Sequence, residues 1–532
     1  LYTEQYQLIE WSYESGKKYN DPFSGLDLDV HINGPNGSSF KIPAFWSGGT
    51  TWTVRFSPPL PGEYQFDTVC SDKENTSLEG RHGNITAAPC SGDNEILAHG
   101  PLKISQNRRS FEYADGTPFT WMADTWWMGL AKRLTWPQDF KILTEDRVRK
   151  GFSVIQIVAG LYPDMPPLDP RSANEAGTAW HEGFTGINPA YFNLADLKIA
   201  WLVRSGLIPC IVGCWGYYLK TMGIEKMKQH WRYLIGRWSA YPVVWCAAGE
   251  AAMPFYLSDT RDEDAEEQKK GWTELCRYIK KTDPYHRILT IHPTRVGRDQ
   301  VTDDSVLDFE MLQTGHGGYH TVPDSVNYVK NAYARKPSMP FIIGEANYEG
   351  IIHHTSAEIQ RLTFWSAYLS GAAGYTYGAN GIWQVNCKDA PYGPSPHGGT
   401  WGNTPWDEAM ELAGASQLGL ARRLIDERGW RNLEPHPEWI DPAAVQEDAV
   451  KDVSRGFAAG IPDRLRVFYF FQPTLPFSPG TIHTVRKLDP QKQYKAAFID
   501  PRSGKEHGLG TVDPEKDGSW EIPVQSEMKD WL

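Results

Sequence analysis

Two short stretches, VVWCAAGE (243–250) and MPFIIGE (339–345), share one form: an apolar run of strand length that closes on Gly-Glu. Apolar runs without polar alternation belong to strands buried on both faces of a parallel sheet. Six more follow the same pattern: PFTWMA (118–123), SVIQIVA (153–159), LIPCIVG (207–213), RILTIH (287–292), VLDFEML (306–312) and GAAGYTYG (371–378). Helical stretches lie between them, near 136–150, 190–205, 225–239, 262–281, 323–335 and 356–370. Eight strand–helix units predict a (β/α)8 TIM barrel over residues 99–425. The rival doubly wound sheet lacks a reason to form, because no Gly-rich phosphate loop follows the first strand.

The flanks read differently. Residues 1–98 alternate apolar and polar positions in LDLDVHI (26–32), TWTVRFS (51–57) and GEYQFDTVC (62–70), with turns at Gly34-Pro35 and Pro61-Gly62. Alternation returns over residues 426–532 in RLRVFYFFQ (464–472) and YKAAFIDPRSG (494–504), where Asp500-Pro501 and Ser503-Gly504 mark a turn. Each flank is expected to be a β-sandwich. The fold class is therefore α/β: a barrel between N-terminal and C-terminal β-sandwich domains. At 532 residues the chain exceeds what one ordinary core supports. No low-complexity linker separates the segments, so they are expected to pack together.

Composition narrows the partners. A formal charge of −12 leaves no basic surface for nucleic acid or anionic membranes, and no apolar run spans a bilayer. Aromatics make up 13% of the chain, with 22 Trp and 25 Tyr, which suits either large β-rich cores or flat platforms for sugar rings. The chain opens at Leu1 without a leader, as a trimmed product of a secreted, periplasmic or cell-surface protein would. Its seven Cys show no metal or redox spacing. Cys210, Cys214, Cys246 and Cys276 read as core thiols, whereas Cys70 and Cys90 flank a polar loop and could form a disulfide in an exported protein.

In a barrel, carboxylates at strand exits face the site end. Glu250 follows the fourth strand and Glu345 the seventh. Paired carboxylates at one mouth suit hydrolysis of a sugar acetal, in which one group donates a proton and the other attacks or activates water. Alone, each could equally cap a helix or pair with an Arg. Glu310 lies inside its run and reads as half of a structural ion pair. Asp124, in WMADTWWMG (121–129), is a candidate acceptor for sugar hydroxyls with Trp126 or Trp127 as a platform, or else a helix cap before core tryptophans. His292, Gln313 and His316 follow the fifth and sixth strands as candidate orienting groups. Trp215, Tyr217, Tyr348, Tyr377, Asn380 and Trp383 could line the same mouth or simply pack. His316 and His320 have a possible metal spacing but no third ligand, so neither a metal nor another cofactor is expected.

The middle segment resembles the apiosidase-like glycoside hydrolases, relatives of the large clan of retaining (β/α)8 glycosidases. The resemblance rests on PFTWMADTWW (118–127), VVWCAAGE (243–250), MPFIIGEANYEG (339–350) and GAAGYTYGANGIW (371–383). It implies a carbohydrate substrate, Glu250 as general acid/base and Glu345 as nucleophile. Many clan members carry Asn-Glu after the fourth strand, whereas this chain has Gly249-Glu250. Two alternatives stand beside hydrolysis: a non-catalytic glycan-binding or adhesion protein, and a transglycosylase on the same scaffold.

Overall fold

The structure, a computed structural model, describes residues 1–353, 355–444, 455–471, 481–523 and 530–532; Gln472, the last residue of the 464–472 run, lies outside them. Eight parallel strands form the central sheet: β1 (Trp121–Trp126), β2 (Val154–Val158), β3 (Ile208–Val212), β4 (Val244–Cys246), β5 (Leu289–Thr290), β6 (Glu310–Gln313), β7 (Phe341–Glu345) and β8 (Gly374–Tyr377). Their order is β5-β4-β3-β2-β1-β8-β7-β6, the sequence order of a barrel. Each of the eight expected runs overlaps one of these strands.

Seven helices cover the sheet: α1 (Gln138–Lys150), α2 (Pro189–Arg204), α3 (Ile224–Trp238), α4 (Arg261–Thr282), α5 (Val322–Ala334), α6 (Ala357–Leu369) and α7 (Ala413–Arg428). Local chemistry sets their ends. Asn188 accepts the Ala190 and Tyr191 amides ahead of Pro189 at the start of α2, and Gly151 at φ +92° stops α1. The eighth helix is missing. Between β5 and β6 the described chain forms only 3-10 turns, Gly297–Asp299 and Asp304–Val306, in a segment broken by Pro293, Gly297 and a capping Asp303. Among the described residues, β5 and β6 also share no strand ladder. They are joined by single bonds: the Asp308 amide to Leu289 O at 2.8 Å, the Leu289 amide to the Asp308 carboxylate at 2.9 Å, and the Thr290 hydroxyl to Phe309 O at 2.7 Å.

The first strand lies three residues later than the sequence pattern suggests. Pro118–Phe119 belongs to a small antiparallel sheet with Phe111–Tyr113 and Leu102–Ile104. That sheet closes the barrel floor, with Phe111 packed on Trp121 and Phe309 at centroid distances of 5.3 and 5.2 Å. Consequently Asp124 and Trp126 sit within β1 rather than beyond it. Side chains alternate between faces along a strand, so both turn outward to α1 while Trp127, past the strand end, reaches the mouth.

The N-terminal flank carries a five-stranded sheet, which includes Leu28–Asn33, Ser39–Pro43 and Gly62–Cys70, and a three-stranded sheet around Thr51–Phe56. Val30, Ile32, Ile42, Val54, Phe56 and Ile85 form their shared core. This flank is fastened to the barrel by buried charge: the Asp196 carboxylate of α2 accepts from Arg55 at 2.7 Å, Arg237 at 2.6 Å and the Trp238 indole at 2.7 Å. Among its described residues the C-terminal flank holds three small antiparallel sheets, one of them a hairpin of Tyr494–Ile499 and Glu506–Val512 turning at Asp500–Gly504. Its anchor is Asp530, which takes Arg361 of α6 in two bonds of 2.6 and 2.7 Å. Helix α7 runs through residue 425. Cys70 and Cys90 are both free thiols.

Candidate active site

The glycines before the two glutamates stand in close quarters, Gly249 prohibitively so and Gly344 tightly. A Cβ on Gly249 would lie 2.2 Å from the Trp215 ring, so nothing larger fits before Glu250. A Cβ on Gly344 would sit 3.0 Å from Met311. Glu345 is the last residue of β7 and only 5% exposed; Glu250 stands four residues beyond β4 and is partly open to solvent.

One amide joins them. Gln313, closing β6, donates its Nε2 to Glu250 Oε1 at 3.1 Å and to Glu345 Oε1 at 3.0 Å. The two Oε1 atoms can therefore be no farther apart than those lengths laid end to end, about 6 Å. His316 Nε2 lies 2.8 Å from Glu345 Oε1, and His292 Nε2 lies 3.3 Å from Oε2. On the other carboxylate, the Trp215 indole donates to Glu250 Oε2 at 3.2 Å. Trp127 packs edge-on against Trp215 and His292 and donates to the Tyr348 hydroxyl at 3.1 Å. Tyr348 in turn packs on His316 at 4.6 Å and on Trp383 at 6.1 Å. Three buried polar atoms of these residues have no hydrogen-bond partner among the described residues: Gln313 Oε1, His316 Nδ1 and Trp383 Nε1. Unsatisfied buried groups are costly and rare, and concentrate where a ligand supplies the missing bond.

The carboxylates are pulled in opposite directions. Burial and the nearby Glu345 charge raise the Glu250 carboxyl above its ordinary value, against the opposing pull of Gln313, His292 and Trp215. Burial would raise Glu345 as well, but the imidazoles of His292 and His316 more than reverse this and hold it well below the usual carboxylate range. The Tyr348 phenol, buried beside Glu345, is pushed far up and stays a neutral donor. Glu250 also holds a φ of +42°, which a side-chain-bearing residue adopts only at a cost of about 1–3 kcal/mol.

Of the candidates read from sequence, Glu250, Glu345, Gln313, His292, His316, Trp215, Trp127, Tyr348 and Trp383 converge here. Four do not. Asp124 is fully buried on the outer face of β1, where it accepts from Arg147 at 2.6 Å, from the Trp126 indole at 2.8 Å and from the Thr125 amide. It is the anchor of α1, neither a sugar ligand nor a helix cap. Trp126 packs against Phe140 of that helix. Tyr377 pairs with Asp124 in register and so faces outward too, donating to Glu349 at 2.6 Å. Tyr217 donates to Tyr162 O at 2.9 Å and lies beneath the mouth loops. Glu310 opens β6 at the barrel floor and accepts the Arg298 backbone amide at 3.2 Å, instead of forming the expected ion pair. Among the described residues no group of three or more His, Cys, Asp or Glu could hold a metal ion.

A carboxylate overlooked in the sequence also stands at the mouth. Asp164 lies on the loop after β2 and is 5% exposed. Its Oδ2 accepts the Trp401 indole at 2.8 Å, and its backbone amide donates to the Tyr256 hydroxyl at 2.9 Å. A residue-by-residue search for carboxylates within a few positions of each strand exit would have found it.

Comparison with known proteins agrees with this geometry. A family model described as "Apiosidase-like, catalytic domain" matches residues 105–432, more than half of the chain. A second model, described as a domain of unknown function, matches residues 2–71. No curated protein matches. Among solved structures, a putative glycoside hydrolase from Bacteroides vulgatus is 18% identical, with all of this chain and 98% of that one covered at a TM-score of 0.68. A glycoside hydrolase family 5 structure from the same organism is 20% identical, covering 81% and 92% of the two chains at 0.66. A further structure described as a glycoside hydrolase is 22% identical, covering 82% and 96% at 0.65. At such identities the likeness shows the fold. The chain belongs to the apiosidase-like catalytic-domain family and is a glycosidase built on a TIM barrel.

Proposed function

We propose that this glycosidase cleaves a glycosidic bond in a plant or microbial polysaccharide with retention of anomeric configuration. The observation that carries the reading is the Gln313 bridge, which binds two carboxylates of opposite protonation tendency within about 6 Å of each other. Retaining enzymes place their carboxyls about 5–5.5 Å apart, and inverting ones about 6.5–9.5 Å to admit a water.

In this mechanism Glu345, ionised, attacks the anomeric carbon. The bond to the leaving oxygen breaks, and that oxygen takes the proton held by Glu250. The glycosyl–Glu345 ester is then hydrolysed: Glu250, now ionised, removes a proton from water, the hydroxide adds to the anomeric carbon, and Glu345 leaves. His292 and His316 stabilise the Glu345 carboxylate before attack and after release. Trp127, Trp383 and Tyr348 form the walls against which the sugar ring lies. A polymer too large to enter a cell implies a secreted, periplasmic or cell-surface enzyme.

The test is a panel of polysaccharides and aryl glycosides, apiose-bearing ones included, with wild type, Glu250→Gln and Glu345→Gln. Wild type should release one sugar, and proton NMR should detect first the anomer present in the substrate. Either variant should lose turnover by orders of magnitude. Near-normal activity in either, or first appearance of the opposite anomer, refutes the mechanism.

A further inference from the structure

A single polar residue interrupts the apolar run of β2. Gln156, in VIQIV (154–158), is fully buried, and its backbone is locked in ladders to Thr125 of β1 on one side and Cys210 of β3 on the other. A buried amide is costly unless its hydrogen bonds are met. Here Nε2 reaches across the barrel interior and donates to Gly344 O at 3.0 Å, while the Thr376 hydroxyl of β8 lies 3.5 Å from Oε1. The carbonyl that Gln156 holds is the one immediately before Glu345.

That carbonyl is free of the sheet for a local reason. Pairing between β6 and β7 begins with the Glu310 amide on Pro340 O at 2.9 Å, and even steps along both strands would bring the Thr314 amide to Gly344 O. The Thr314 amide bonds Glu345 O instead, at 2.9 Å. The register accordingly passes from Leu312–Ile343 straight to Gln313–Glu345, which leaves Gly344 as the extra residue of a β-bulge. Such bulges are rare in parallel pairs, and beside active sites they re-aim a side chain. Without the bulge Gly344 would stand level with Gln313; with it Glu345 does. This is the register in which Gln313 Nε2 reaches both carboxylates and His316 Nε2 meets Glu345 Oε1 at 2.8 Å.

Resting on the two-carboxylate reading, we infer that Gln156 is a positioning residue for the nucleophile: its amide holds the Gly344 carbonyl, and so keeps the bulge that sets Glu345 level with Gln313. Deprived of that donor, Gly344 O becomes a buried acceptor without a partner, and the nearest remedy is the Thr314 amide, one residue away in register. Taking that bond undoes the bulge, and a slip of one residue turns a strand side chain toward the other face. Attack needs a carboxylate oxygen about 3–3.5 Å from the anomeric carbon, so even a small displacement of Glu345 is felt in the rate. Glu250, held by Trp215 on a different loop, is not moved by this change.

The test compares three full-chain variants with wild type. Gln156→Met is as long but has no donor, and Gln156→Asn keeps the amide but falls short of Gly344. Gln156→Glu places a carboxyl there that burial keeps protonated, so its O–H can donate in the same direction. The probe is the 2,4-dinitrophenyl glycoside of the sugar that wild type releases; its leaving group departs without a proton from Glu250, so kcat/KM reports the attack by Glu345. Gln156→Met and Gln156→Asn should lose about ten- to hundred-fold in kcat/KM, the scale of a misplacement of about 1 Å, while the released sugar inhibits them as strongly as it does wild type. Gln156→Glu should recover most of the loss, and crystals of Gln156→Met should show the Thr314 amide on Gly344 O. Should Gln156→Met not fold, the smaller Gln156→Asn carries both measurements. Wild-type kcat/KM in the folded donor-less variants, an equal loss in Gln156→Glu, or an unchanged Thr314 bond overturns the positioning role and spares the glycosidase reading. A wild type that cleaves no glycoside overturns both.

Discussion

Replacing Glu345 by Gln removes one charge beside Glu250 and keeps the shape of the site. The closest oxygens of the two carboxylates are within about 6 Å of each other, both bonded to Gln313. With an effective dielectric constant of about 20, suited to a partly open site, one unit charge at that distance contributes about 3 kcal/mol, roughly a hundred-fold in proton affinity. Glu250 should therefore lose its proton at markedly lower pH in Glu345→Gln. Turnover cannot report this, because the proposed mechanism gives Glu345 the attacking role and the variant would not turn over. The Trp215 indole can, since it donates to Glu250 Oε2 at 3.2 Å and its NMR shift follows that oxygen's charge. The resonance is assigned by its loss in Trp215→Phe and followed through a pH titration of both proteins. A midpoint unchanged by the substitution would mean that the two carboxylates do not sense each other, and the division of roles between them would fall.

Two other substitutions test strain and burial. Glu250→Gly should abolish activity yet stabilise the fold by about 1 kcal/mol, because glycine adopts φ +42° without strain; Glu250→Gln, with the strain retained, should not, and thermal unfolding separates the two. Glu310, pushed by burial from about 4.5 up to about 7, binds its proton more tightly in the folded chain than in the unfolded one. Its contribution is complete below about pH 4.5 and is lost as pH rises through about 7, a loss of at most about 3 kcal/mol. Glu310→Gln keeps the acceptor for the Arg298 amide, so it should raise Tm at pH 8 clearly more than at pH 4, and an equal rise at both refutes the account.

The barrel was legible because a buried parallel strand leaves a local signature, a short apolar run, and each of the eight runs overlaps a strand. The two glutamates were legible for a related reason: each ends an apolar run directly after a closely packed glycine. Errors arose where register depended on distant partners. PFTWMADTWW reads as one strand ending before Asp124, yet Phe119 pairs with Phe111 in another sheet and the barrel strand begins at Trp121. That offset turned Asp124, Trp126 and, across the ladder, Tyr377 away from the site. Arg147, which holds Asp124, lies 23 residues away, and no local pattern announces it. Asp164 was missed because its loop is irregular and proline-rich, so its position depends on contacts with Trp401 and Tyr256 from two other loops.

The break between β5 and β6 affects more than topology. His292 follows one edge of that gap and Gln313 ends the other, and both touch Glu345. Elsewhere around the ring, adjacent strands pair directly, with one register shift at Leu312–Gln313 in the β6–β7 ladder, whereas the two edges of this gap are tied by the Leu289–Asp308 and Thr290–Phe309 bonds, the Gln313 amide to Arg295 O at 2.9 Å and the Val296–Leu312 bridge. The barrel thus resembles a clasped bracelet rather than a forged hoop, with its clasp beneath the reacting carboxylate. Parting His292 from Gln313 would therefore break those bonds and the Val296–Leu312 bridge, but no ladder between β5 and β6.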